Sequence, residues 1–558
     1  MSAISKDLAT SKRSYRWFVA AVLAHIVMLV VSTFCHVPVR DEVGHFGAGM
    51  CHWQTGSFFS FRVNPPLVRL ISTFPAAVLR GRTLDLATYY ESPGLRNEIA
   101  LGNVYIRDHK DWLIDFRIAQ LTCIPFSVLG GYVIFRWATH VYGGAAGLFG
   151  AVLWFLSPTV LGLAPTIMPD VASASLGILA NYRFFLWLQR PDRRQGILTG
   201  LTLGLAQLSK TTLLAFYPAF VVLLLLAKRR PSESRPTWSG FLGIVAMSIL
   251  VLNLGYGFEG TGTSLSQYHF VSKTLSTAAT SPAASAFDAV LVPLPRNYVY
   301  GIDLVKKELE EGFWCYLGGT WKRGGWWYFY LYAMAVKLPV TTLTLLLVAG
   351  LAGRVRFEEL AFLLPAALIV VCLSVNTGYT HHLRYCLPAF PAFFLWASRC
   401  ATFPRAWVRT GCVCLLAASA VSSLQVFPHS MSYFNELSGG SANGHAHLLY
   451  SNIDYGQDLM FLKRWMKENG VSRVKLAYFG AFNPRDLGID FDVPSDTSSP
   501  GIYAISVYFL RGGRLAVTDQ QGSQKGVDGT RFVHLLEQRA TARVGYSMYV
   551  YEVPILGQ

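Results

Sequence analysis

The sequence predicts a polytopic α-helical membrane protein that carries a small α/β domain at its C-terminal end. Hydrophobic residues make up 52% of the 558 residues and charged residues 14%, whereas soluble domains carry about 25% charged residues. The apolar residues are concentrated in runs close to the length of about 20 residues that a helix needs to cross a bilayer. This composition excludes a disordered chain, a collagen-like fibre and a small disulfide scaffold. Most of the nine cysteines lie in apolar runs and no CxxC pair occurs, so the cysteines indicate neither a zinc nor a thioredoxin-like site.

Eleven apolar runs are predicted to be membrane spans. They lie at residues 17–37, 117–137, 142–160, 169–188, 197–209, 212–227, 239–257, 328–350, 358–375, 385–398 and 406–427. The first run follows a basic segment and has no signal-peptide cleavage site, which predicts an uncleaved span with a cytoplasmic N-terminus. The apolar stretch 196–227 is divided at Lys210, because both of its ends are basic and the positive-inside rule places both ends in the cytoplasm.

The predicted topology mainly explains why basic residues outnumber acidic residues in the chain. The net charge is +16, and the basic residues cluster at the predicted cytoplasmic ends of the spans. Binding to nucleic acid needs a basic face on a soluble domain, and we therefore expect no nucleic-acid partner. The sequence has no N-x-S/T sequon, which favours a bacterial inner (cell) membrane over a eukaryotic secretory membrane.

Three segments are predicted to lie outside the membrane, on the extracytoplasmic side. Segments 38–116 and 258–327 are outer loops of a transmembrane domain at residues 1–427. Segment 428–558 is predicted to be a separate soluble domain, and its mixture of helix-like and strand-like hydrophobic patterns predicts a small α/β fold. It contains a predicted helix and three strand-like runs, at residues 458–469, 474–479, 501–509 and 547–553.

The most informative motifs follow the first predicted span. Residues 41–47 read DEVGHFG, residues 58–61 read FFSF and residues 64–67 read NPPL. Two adjacent carboxylates, Asp41 and Glu42, are unusual at an outer membrane surface. The alternative interpretation is a solvated charge pair in a loop, followed by a rigid turn at Pro65 and Pro66.

These motifs resemble the GT-C superfamily of integral-membrane glycosyltransferases, in particular the protein O-mannosyltransferase and lipid A aminoarabinose transferase branch. Protein O-mannosyltransferases carry DEVHFG, FFF and HPPL in their first lumenal loop, whereas this chain has an extra Gly44 and has Asn64 in place of the histidine. Further similar pieces occur in the same order: MPD at 168–170, GLAQLSK at 204–210, WWYF at 326–329, KLP at 337–339, YFNELSGG at 433–440 and NIDYGQDL at 452–459. The resemblance therefore extends over nearly the whole chain and implies the GT-C fold.

The resemblance implies an inverting glycosyltransferase of the EC 2.4 class. Such an enzyme moves a mannose-like or related sugar from a polyprenyl-phosphate donor to an acceptor hydroxyl on the outer, periplasmic face of the membrane. The acceptor can be a protein, a lipid or a glycan, and the sequence leaves the sugar open. The alternative function is a membrane transporter or flippase for a lipid-linked sugar, although no inverted repeat typical of transporters is evident.

Three carboxylates are the predicted catalytic residues. Asp41 is the candidate base that accepts the proton of the attacking hydroxyl. Glu42 is the candidate for orienting the acceptor. Asp170 is the candidate for supporting the site or binding the acceptor, and its alternative interpretation is a helix N-cap at the membrane surface.

Three cations are predicted to bind the donor phosphate, which needs fixed positive charge. Arg384 and Lys210 lie in predicted outer turns. The alternative for Arg384 is an interfacial arginine that reaches the headgroups. Lys337 lies inside the predicted span 328–350, where a cation is costly, and its alternative is a buried ion pair.

The loop positions that match the family motif are predicted to contact the substrates: His45, Asn64, Pro65 and Pro66. The need for a cofactor stays open. A pair of outer carboxylates offers the oxygen ligands that a divalent metal ion prefers. His445 and His447 are too few to predict a metal site on their own.

Overall fold

The computed structural model describes residues 3–87, 96–230, 235–280 and 289–554. Parts of both predicted outer loops and the last four residues of the predicted C-terminal domain therefore lie outside the described residues. The first twelve helices are α1 (Ala3–Cys35), α2 (Arg40–Thr55), α3 (Leu67–Phe74), α4 (Glu98–Asp108), α5 (Trp112–Leu121), α6 (Ile124–Tyr142), α7 (Gly144–Phe155), α8 (Pro158–Leu163), α9 (Pro169–Gln189), α10 (Arg193–Gln207), α11 (Phe216–Lys228) and α12 (Trp238–Gly255).

Further helices follow in the second half of the chain. Its helices are α13 (Lys273–Ala279), α14 (Arg296–Glu311), α15 (Phe329–Lys337), α16 (Val340–Gly350), α17 (Phe357–Val375), α18 (Phe390–Ser398), α19 (Ala406–Leu424), α20 (Gly444–His447), α21 (Leu459–Glu468) and α22 (Val507–Leu510). Helices therefore dominate the described residues, as the sequence predicts.

Seven helical segments of the described residues are long and apolar enough to cross a membrane. They are Arg13–Cys35, Trp112–Tyr142, Pro169–Gln189, Thr211–Lys228, Trp238–Gly255, Phe357–Val375 and Ala406–Leu424. An eighth candidate is the pair α15 and α16, which is bent by 113°. The bend lies at Leu338, whose φ of −88° and ψ of 141° are extended, because the following proline excludes the helical conformation from the residue before it. The predicted class, a polytopic helical membrane protein, is confirmed.

The predicted number of eleven spans is not confirmed. Three of the predicted spans fall on short helices: α7 has 12 residues, α10 has 15 and α18 has 9. At 1.5 Å per residue, a helix of 12 residues is roughly 18 Å long, whereas the hydrocarbon core of a bilayer is about 30 Å thick. The described residues support seven spans, or eight when the bent pair is counted as one.

Helix α2 lies directly after the first span, at the start of the predicted first outer loop. It begins at Arg40, and the Glu42 carboxylate accepts a hydrogen bond from the Val39 N–H at 2.7 Å, which satisfies a free donor of the first turn. Helices α2 and α4 pack closely, since a Cβ on Gly102 would lie 2.0 Å from the Val43 carbonyl oxygen. This contact fixes α2 at one end of the helix bundle.

The C-terminal region contains the predicted α/β fold. The nine strands of the described residues are β1 (Trp314–Leu317), β2 (Thr320–Arg323), β3 (Val474–Ala477), β4 (Phe491–Asp492), β5 (Gly501–Ser506), β6 (Arg514–Thr518), β7 (Gln524–Asp528), β8 (Ala542–Val544) and β9 (Met548–Val553). Five of them form a mixed sheet in the order β4-β3-β5-β9-β8, with β3 parallel to β4 and β5, and β9 antiparallel to β5 and β8. The small C-terminal sheet region is thereby confirmed, and the division between residues 427 and 428 stays a prediction.

The C-terminal region packs on the same end of the bundle as α2. Arg40 donates through Nη1 to the Gly480 carbonyl at 2.7 Å. The Trp321 indole, in the β1–β2 hairpin, donates to the Arg511 carbonyl at 2.7 Å. Segments 36–40 and 455–457 are also joined by backbone hydrogen bonds. These contacts bring residues of distant segments together around the start of α2.

Candidate active site

Four charged side chains form a continuous chain of ion pairs at the start of α2. Arg384 donates through Nη2 to Asp41 Oδ2 at 2.6 Å and through Nη1 to Asp170 Oδ2 at 3.2 Å. Lys210 Nζ lies 2.5 Å from the other Asp170 oxygen, Oδ1. We call Asp41, Asp170, Lys210 and Arg384 the charged cluster. The sequence predicts each of these four residues as a site residue, and the structure brings all four together.

The two carboxylates of the charged cluster lie in the first turns of helices. Asp41 lies in α2, and Asp170 lies in α9 directly after Pro169, whose fixed φ suits the first helical position. The N-terminal end of a helix carries partial positive charge, which stabilises a carboxylate there. The cap position of α9 is Met168, so the Asp170 carboxylate serves the ion pairs instead of capping the helix.

The two cations lie in irregular turns between helices. Lys210 has an extended conformation between α10 and a short 3-10 segment. Arg384 lies in the 3-10 segment Leu383–Ala389. The side chain of Asn452 holds this turn, because its Oδ1 accepts from the Leu383 N–H at 2.9 Å and its Nδ2 donates to the His381 carbonyl at 2.8 Å.

Burial makes these charges dependent on one another. Asp170, Lys210 and Arg384 are buried, whereas 27% of the Asp41 side chain is exposed. Buried ions are stable only when they are paired, and two cations here neutralise two anions. Burial raises the pKa of Asp41, but Arg384, Tyr455 and His45 together outweigh burial and lower that pKa to about 2. Asp41 is therefore an ionised carboxylate that solvent can reach.

Two tyrosines frame the cations. The Tyr385 ring centre lies 5.0 Å from Lys210 Nζ and 5.3 Å from the Arg384 guanidinium carbon. The Tyr455 ring lies 5.3 Å from the same guanidinium carbon, and Arg384 Nη2 donates to Tyr455 Oη at 3.4 Å. Such cation–π contacts stabilise a buried cation. Tyr455 was not among the predicted site residues, although it lies in the NIDYGQDL motif that the sequence singles out.

A cavity of about 430 Å³ lies beside the charged cluster. Lys210 and Tyr385 form part of its wall, together with Asn64 of the NPPL motif. Most of the remaining wall is apolar and includes Leu214 and Leu373, which belong to candidate membrane spans. Helix α14, which is not a candidate span, contributes Ile302 and Val305, so the cavity lies between candidate spans and α14 and reaches one cation of the cluster.

Glu42 points away from Asp41. Its Oε1 accepts hydrogen bonds from the Gln120 side chain and from the Ile167 N–H, both at 2.9 Å, and its Oε2 accepts from the Val39 N–H. Burial raises the pKa of Glu42 to about 7, although these donors act in the opposite direction. Glu42 thus ties the start of α2 to the segment that leads into Asp170.

Lys337 makes no ion pair within the described part of the chain. Its Nζ donates to the Met431 carbonyl at 2.8 Å and to the Asn452 carbonyl at 2.5 Å, and it lies 4.5 Å from the Phe434 ring centre. The structure therefore places Lys337 on backbone oxygens and not in the charged cluster. Its connection to the cluster is indirect and runs through Asn452, whose side chain holds the turn of Arg384.

The predicted substrate-loop residues lie near the charged cluster, and three of the four are buried. The His45 ring is buried 4.3 Å from the Phe61 ring centre, and burial holds the pKa of His45 well below its usual value of 6.5. Pro65 and Pro66 are buried and lead into α3, whereas Asn64 lines the cavity. The NPPL motif also contacts the turn of Lys210, because the Leu67 N–H donates to the Leu208 carbonyl at 3.2 Å.

The adjacent carboxylates Asp41 and Glu42 have different partners, since Asp41 pairs with Arg384 and Glu42 accepts from N–H donors. Among the described residues, one group of side chains has the composition and spacing of a metal site. It consists of His36, His429 and Asp458, whose ligand atoms lie within 4.8 Å of one another.

Comparison with known proteins gives matches to solved structures and a match of one segment to a protein family. A crystal structure of ArnT from Cupriavidus metallidurans in the apo state matches with 14% identity and a TM-score of 0.43, covering 96% of this chain and 98% of that one. The structure of that protein bound to undecaprenyl phosphate gives the same identity and TM-score, with 96% and 97% covered. The Archaeoglobus fulgidus oligosaccharyltransferase, in a complex with Zn and sulfate, matches with 11% identity and a TM-score of 0.37, covering 92% and 73%.

No protein with a curated sequence record matches the chain. The predicted resemblance is confirmed for part of the chain: residues 114–256 match the family described as dolichyl-phosphate-mannose-protein mannosyltransferase.

Proposed function

We propose that the protein is an inverting membrane glycosyltransferase. It moves a mannose-like or related sugar from a polyprenyl-phosphate donor to a hydroxyl of a protein, lipid or glycan acceptor. The observation that carries this proposal is the charged cluster, in which residues from four distant segments meet beside a largely apolar cavity. The family match over residues 114–256 supports the reaction class.

The cavity suits the lipid end of the donor. A polyprenyl chain needs an apolar surface, and its phosphate needs fixed cations at the end of that surface. Lys210 lies in the cavity wall, and Arg384 lies beside it, across the Tyr385 ring. The Arg384 Nε–H is buried and donates to no atom of the described residues, so Arg384 has one donor left for a phosphate oxygen.

Donor binding would also activate Asp41. In the structure, Arg384, with support from Tyr455 and His45, holds the pKa of Asp41 at about 2, and so acidic a carboxylate is a weak base. The donor phosphate is an anion that competes with Asp41 and Asp170 for Arg384 and Lys210. When Arg384 turns to the phosphate, Asp41 loses its nearest cation and becomes more basic. The base is then formed only when the donor is present.

The reaction follows from these positions. The acceptor hydroxyl gives its proton to the Asp41 carboxylate while its oxygen forms a bond to the anomeric carbon. The bond between that carbon and the phosphate oxygen breaks, and its electron pair leaves with the polyprenyl phosphate. The phosphate gains one negative charge, which Arg384 and Lys210 stabilise. Attack from the face opposite the phosphate inverts the anomeric carbon.

Glu42, His45 and Lys337 are positioning residues in this proposal. Glu42 connects the helix of Asp41 to the segment before Asp170, and His45 packs against Phe61 of the FFSF motif. Lys337 holds the backbone of Asn452, which in turn holds the turn of Arg384. In this proposal the cluster lies at the outer face of a bacterial inner membrane, the N-terminus is cytoplasmic and residues 428–558 form an extracytoplasmic domain. The basic span ends in the sequence support this orientation.

A transfer assay with the reconstituted full-length protein tests the proposal. The donor is a polyprenyl-phosphate sugar with a radiolabelled sugar, and the acceptors are proteins, lipids and glycans of a strain that lacks the protein. Asp41→Asn is expected to lower transfer by about 10²–10⁴-fold, the usual contribution of a general base. Asp492→Asn, at an exposed carboxylate of β4, is the matched control and should keep wild-type transfer.

Two results would contradict the proposal. One is full transfer activity in the Asp41→Asn variant. The other is movement of the intact lipid-linked sugar across the vesicle membrane without cleavage of the sugar–phosphate bond, which would indicate a flippase.

A further inference from the structure

A second group of polar side chains lies where three distant segments meet. His36 follows the first span directly, His429 follows the last span, and Asp458 precedes α21 of the C-terminal region. His36 Nε2 lies 3.6 Å from Asp458 Oδ1, and His429 Nδ1 lies 3.2 Å from the same oxygen. The two imidazoles are 14% and 16% exposed, and the carboxylate is fully buried. None of the three belongs to the charged cluster.

The spacing of the ligand atoms suits a small tetrahedral cation. Zinc bonds to imidazole nitrogen and carboxylate oxygen at about 2.0–2.2 Å, so its ligand atoms lie roughly 3.3 Å from one another. The distances from Asp458 Oδ1 to His36 Nε2 and to His429 Nδ1 lie close to this value, and all three ligand atoms lie within 4.8 Å of one another. A small rotation of the imidazoles would complete the geometry.

The hydrogen-bond partners of His36 and Asp458 leave a lone pair of each group facing the other. His36 Nδ1 lies 3.1 Å from the Ser32 carbonyl oxygen, which can only accept, so Nδ1 carries the hydrogen. The Nε2 of the neutral ring therefore turns a lone pair toward the Asp458 carboxylate. The other Asp458 oxygen accepts from the Ser547 hydroxyl at 2.6 Å. Metal-binding histidines and carboxylates are held by such outer hydrogen bonds.

Space for a further ligand lies next to the group. A cavity of about 30 Å³ is lined by His36 and His429 and also by polar side chains, among them Thr166 and Gln457. A cavity of this size holds a water molecule when polar partners are present. Water is the usual fourth ligand of a zinc ion that has three protein ligands.

We propose that His36, His429 and Asp458 bind a divalent transition-metal ion, with zinc as the best fit. Two imidazoles and one carboxylate form a donor set that suits zinc and its neighbours, whereas calcium and magnesium prefer oxygen ligands alone. The ion joins the ends of the first and last spans to the C-terminal region. This proposal does not depend on the proposed function.

The ion has a structural consequence for the start of α2. The Val37 N–H donates to the Gln457 carbonyl at 3.1 Å, and the Arg40 N–H donates to the Tyr455 carbonyl at 3.0 Å. The segment between Tyr455 and Asp458 is therefore attached to the segment between His36 and Arg40. A metal ion at His36 and Asp458 would fix the end of this pair of segments, and hence the separation between α2 and Tyr455.

Metal analysis of the full-length protein tests the proposal. The protein is purified without a histidine tag, incubated with zinc chloride and freed of excess metal by gel filtration. Elemental analysis should give about one zinc ion per chain for the wild type. Asp458→Asn and the double variant His36→Ala/His429→Ala should fall to the level of a protein-free blank. His534→Ala, at an exposed histidine of the C-terminal region, is the control and should keep the wild-type zinc content.

A second measurement uses only the wild type, in case a variant does not fold. A chelator should lower its melting temperature, and zinc but not magnesium should restore it. Cobalt in place of zinc should give the visible absorption of a tetrahedral site with nitrogen ligands. A wild-type protein without stoichiometric zinc, or a zinc content that survives both sets of substitutions, would overturn the proposal.

Discussion

Nη2 of Arg384 donates to Oδ2 of Asp41 at 2.6 Å, although 343 residues separate them in the chain. The same guanidinium reaches Asp170 at 3.2 Å, so one cation lies between two carboxylates. Because Arg384 is buried, this arrangement determines both the stability of the cluster and the basicity of Asp41. A competing anion that binds Arg384 changes both properties at once.

The first prediction concerns the cation between the carboxylates. Arg384→Gln is expected to raise the KM for the donor by about 10- to 100-fold, since a hydrogen bond to a charged group contributes about 1.5–3 kcal/mol. It should also destabilise the protein, because Asp170 loses a buried partner. Steady-state kinetics with the polyprenyl-phosphate donor and a thermal melt measure the two effects.

Arg399→Gln is the matched control for this prediction. Arg399 is also buried and lies 3.4 Å from a carboxylate, that of Glu359, at a predicted cytoplasmic end of the bundle. Its replacement should lower the melting temperature but leave the donor KM unchanged. Equal effects of both substitutions on KM would count against a phosphate-binding role for Arg384.

The second prediction concerns the pair of Asp170 and Lys210. Each single variant, Asp170→Asn or Lys210→Met, leaves a buried charge with one partner fewer and should destabilise the protein strongly. The double variant should be more stable than the sum of the single effects predicts, with a coupling of about 0.5–3 kcal/mol. The free energies of unfolding of the wild type, the two single variants and the double variant give this coupling. Strictly additive effects would show that the two side chains do not interact.

The third prediction is a pH dependence that arises from Glu42. Burial raises the pKa of Glu42 from its ordinary value of 4.5 to about 7, so the folded protein holds a proton that the unfolded chain releases. The contribution to stability is fully present below pH 4.5 and is lost as the pH rises through 7, by up to about 3 kcal/mol.

Glu42→Gln removes this titration. Melting temperatures of the wild type and Glu42→Gln are measured between pH 4.5 and 8. The melting temperature of the wild type should fall as the pH rises, whereas that of the variant should fall less. Parallel slopes would mean that the Glu42 carboxyl titrates in its ordinary range.

The fourth prediction concerns the close contact of α2 and α4. A Cβ on Gly102 would lie 2.0 Å from the Val43 carbonyl oxygen, and a backbone atom cannot move away as a flexible side chain can. Gly102→Ala is therefore expected to cost about 1–3 kcal/mol or more and to displace Asp41 with α2. Gly243→Ala is the control, because a Cβ there would meet no atom within 4 Å. A loss of stability and transfer in the Gly102 variant alone would support the contact, and equal behaviour of both variants would contradict it.

The sequence could indicate which charges matter, because charged residues at the ends of apolar runs are costly and therefore informative. Asp41, Asp170, Lys210 and Arg384 are all of this kind. Their pairing could not be read from the sequence, since it depends on how four distant segments pack. The same limit applies to His36, His429 and Asp458, which form no local motif, since His36 lies hundreds of residues from the other two and 29 residues separate His429 from Asp458.

The roles of Glu42 and Lys337 show what local conformation adds. Read as a loop, the pair Asp41 and Glu42 can face one site, but residues 40–55 form a helix. Adjacent side chains on an α-helix point about 100° apart, so only one of the two faces Arg384. The apolar run 328–350 predicts a single span, whereas its two helices meet at Leu338 and Pro339 with a bend of 113°. Lys337, at the end of the first of these helices, lies among backbone carbonyls.

The predicted number of spans is not confirmed, for a related reason. Hydropathy predicts which segments are apolar, but short apolar helices such as α7 and α18 are too short to cross a bilayer alone. Buried polar turns, such as the one that carries Arg384, interrupt the apolar runs without changing their average composition. Helical class and the C-terminal sheet could be predicted, whereas helix length required the tertiary structure.

The most direct test of the central claim is a structure of the protein with undecaprenyl phosphate bound. The phosphate is expected to lie within hydrogen-bond distance of Arg384 and Lys210, the polyprenyl chain to occupy the cavity next to Lys210, and Asp41 to have lost its contact with Arg384. A phosphate bound elsewhere, with the hydrogen bond between Arg384 and Asp41 intact, would contradict the claim.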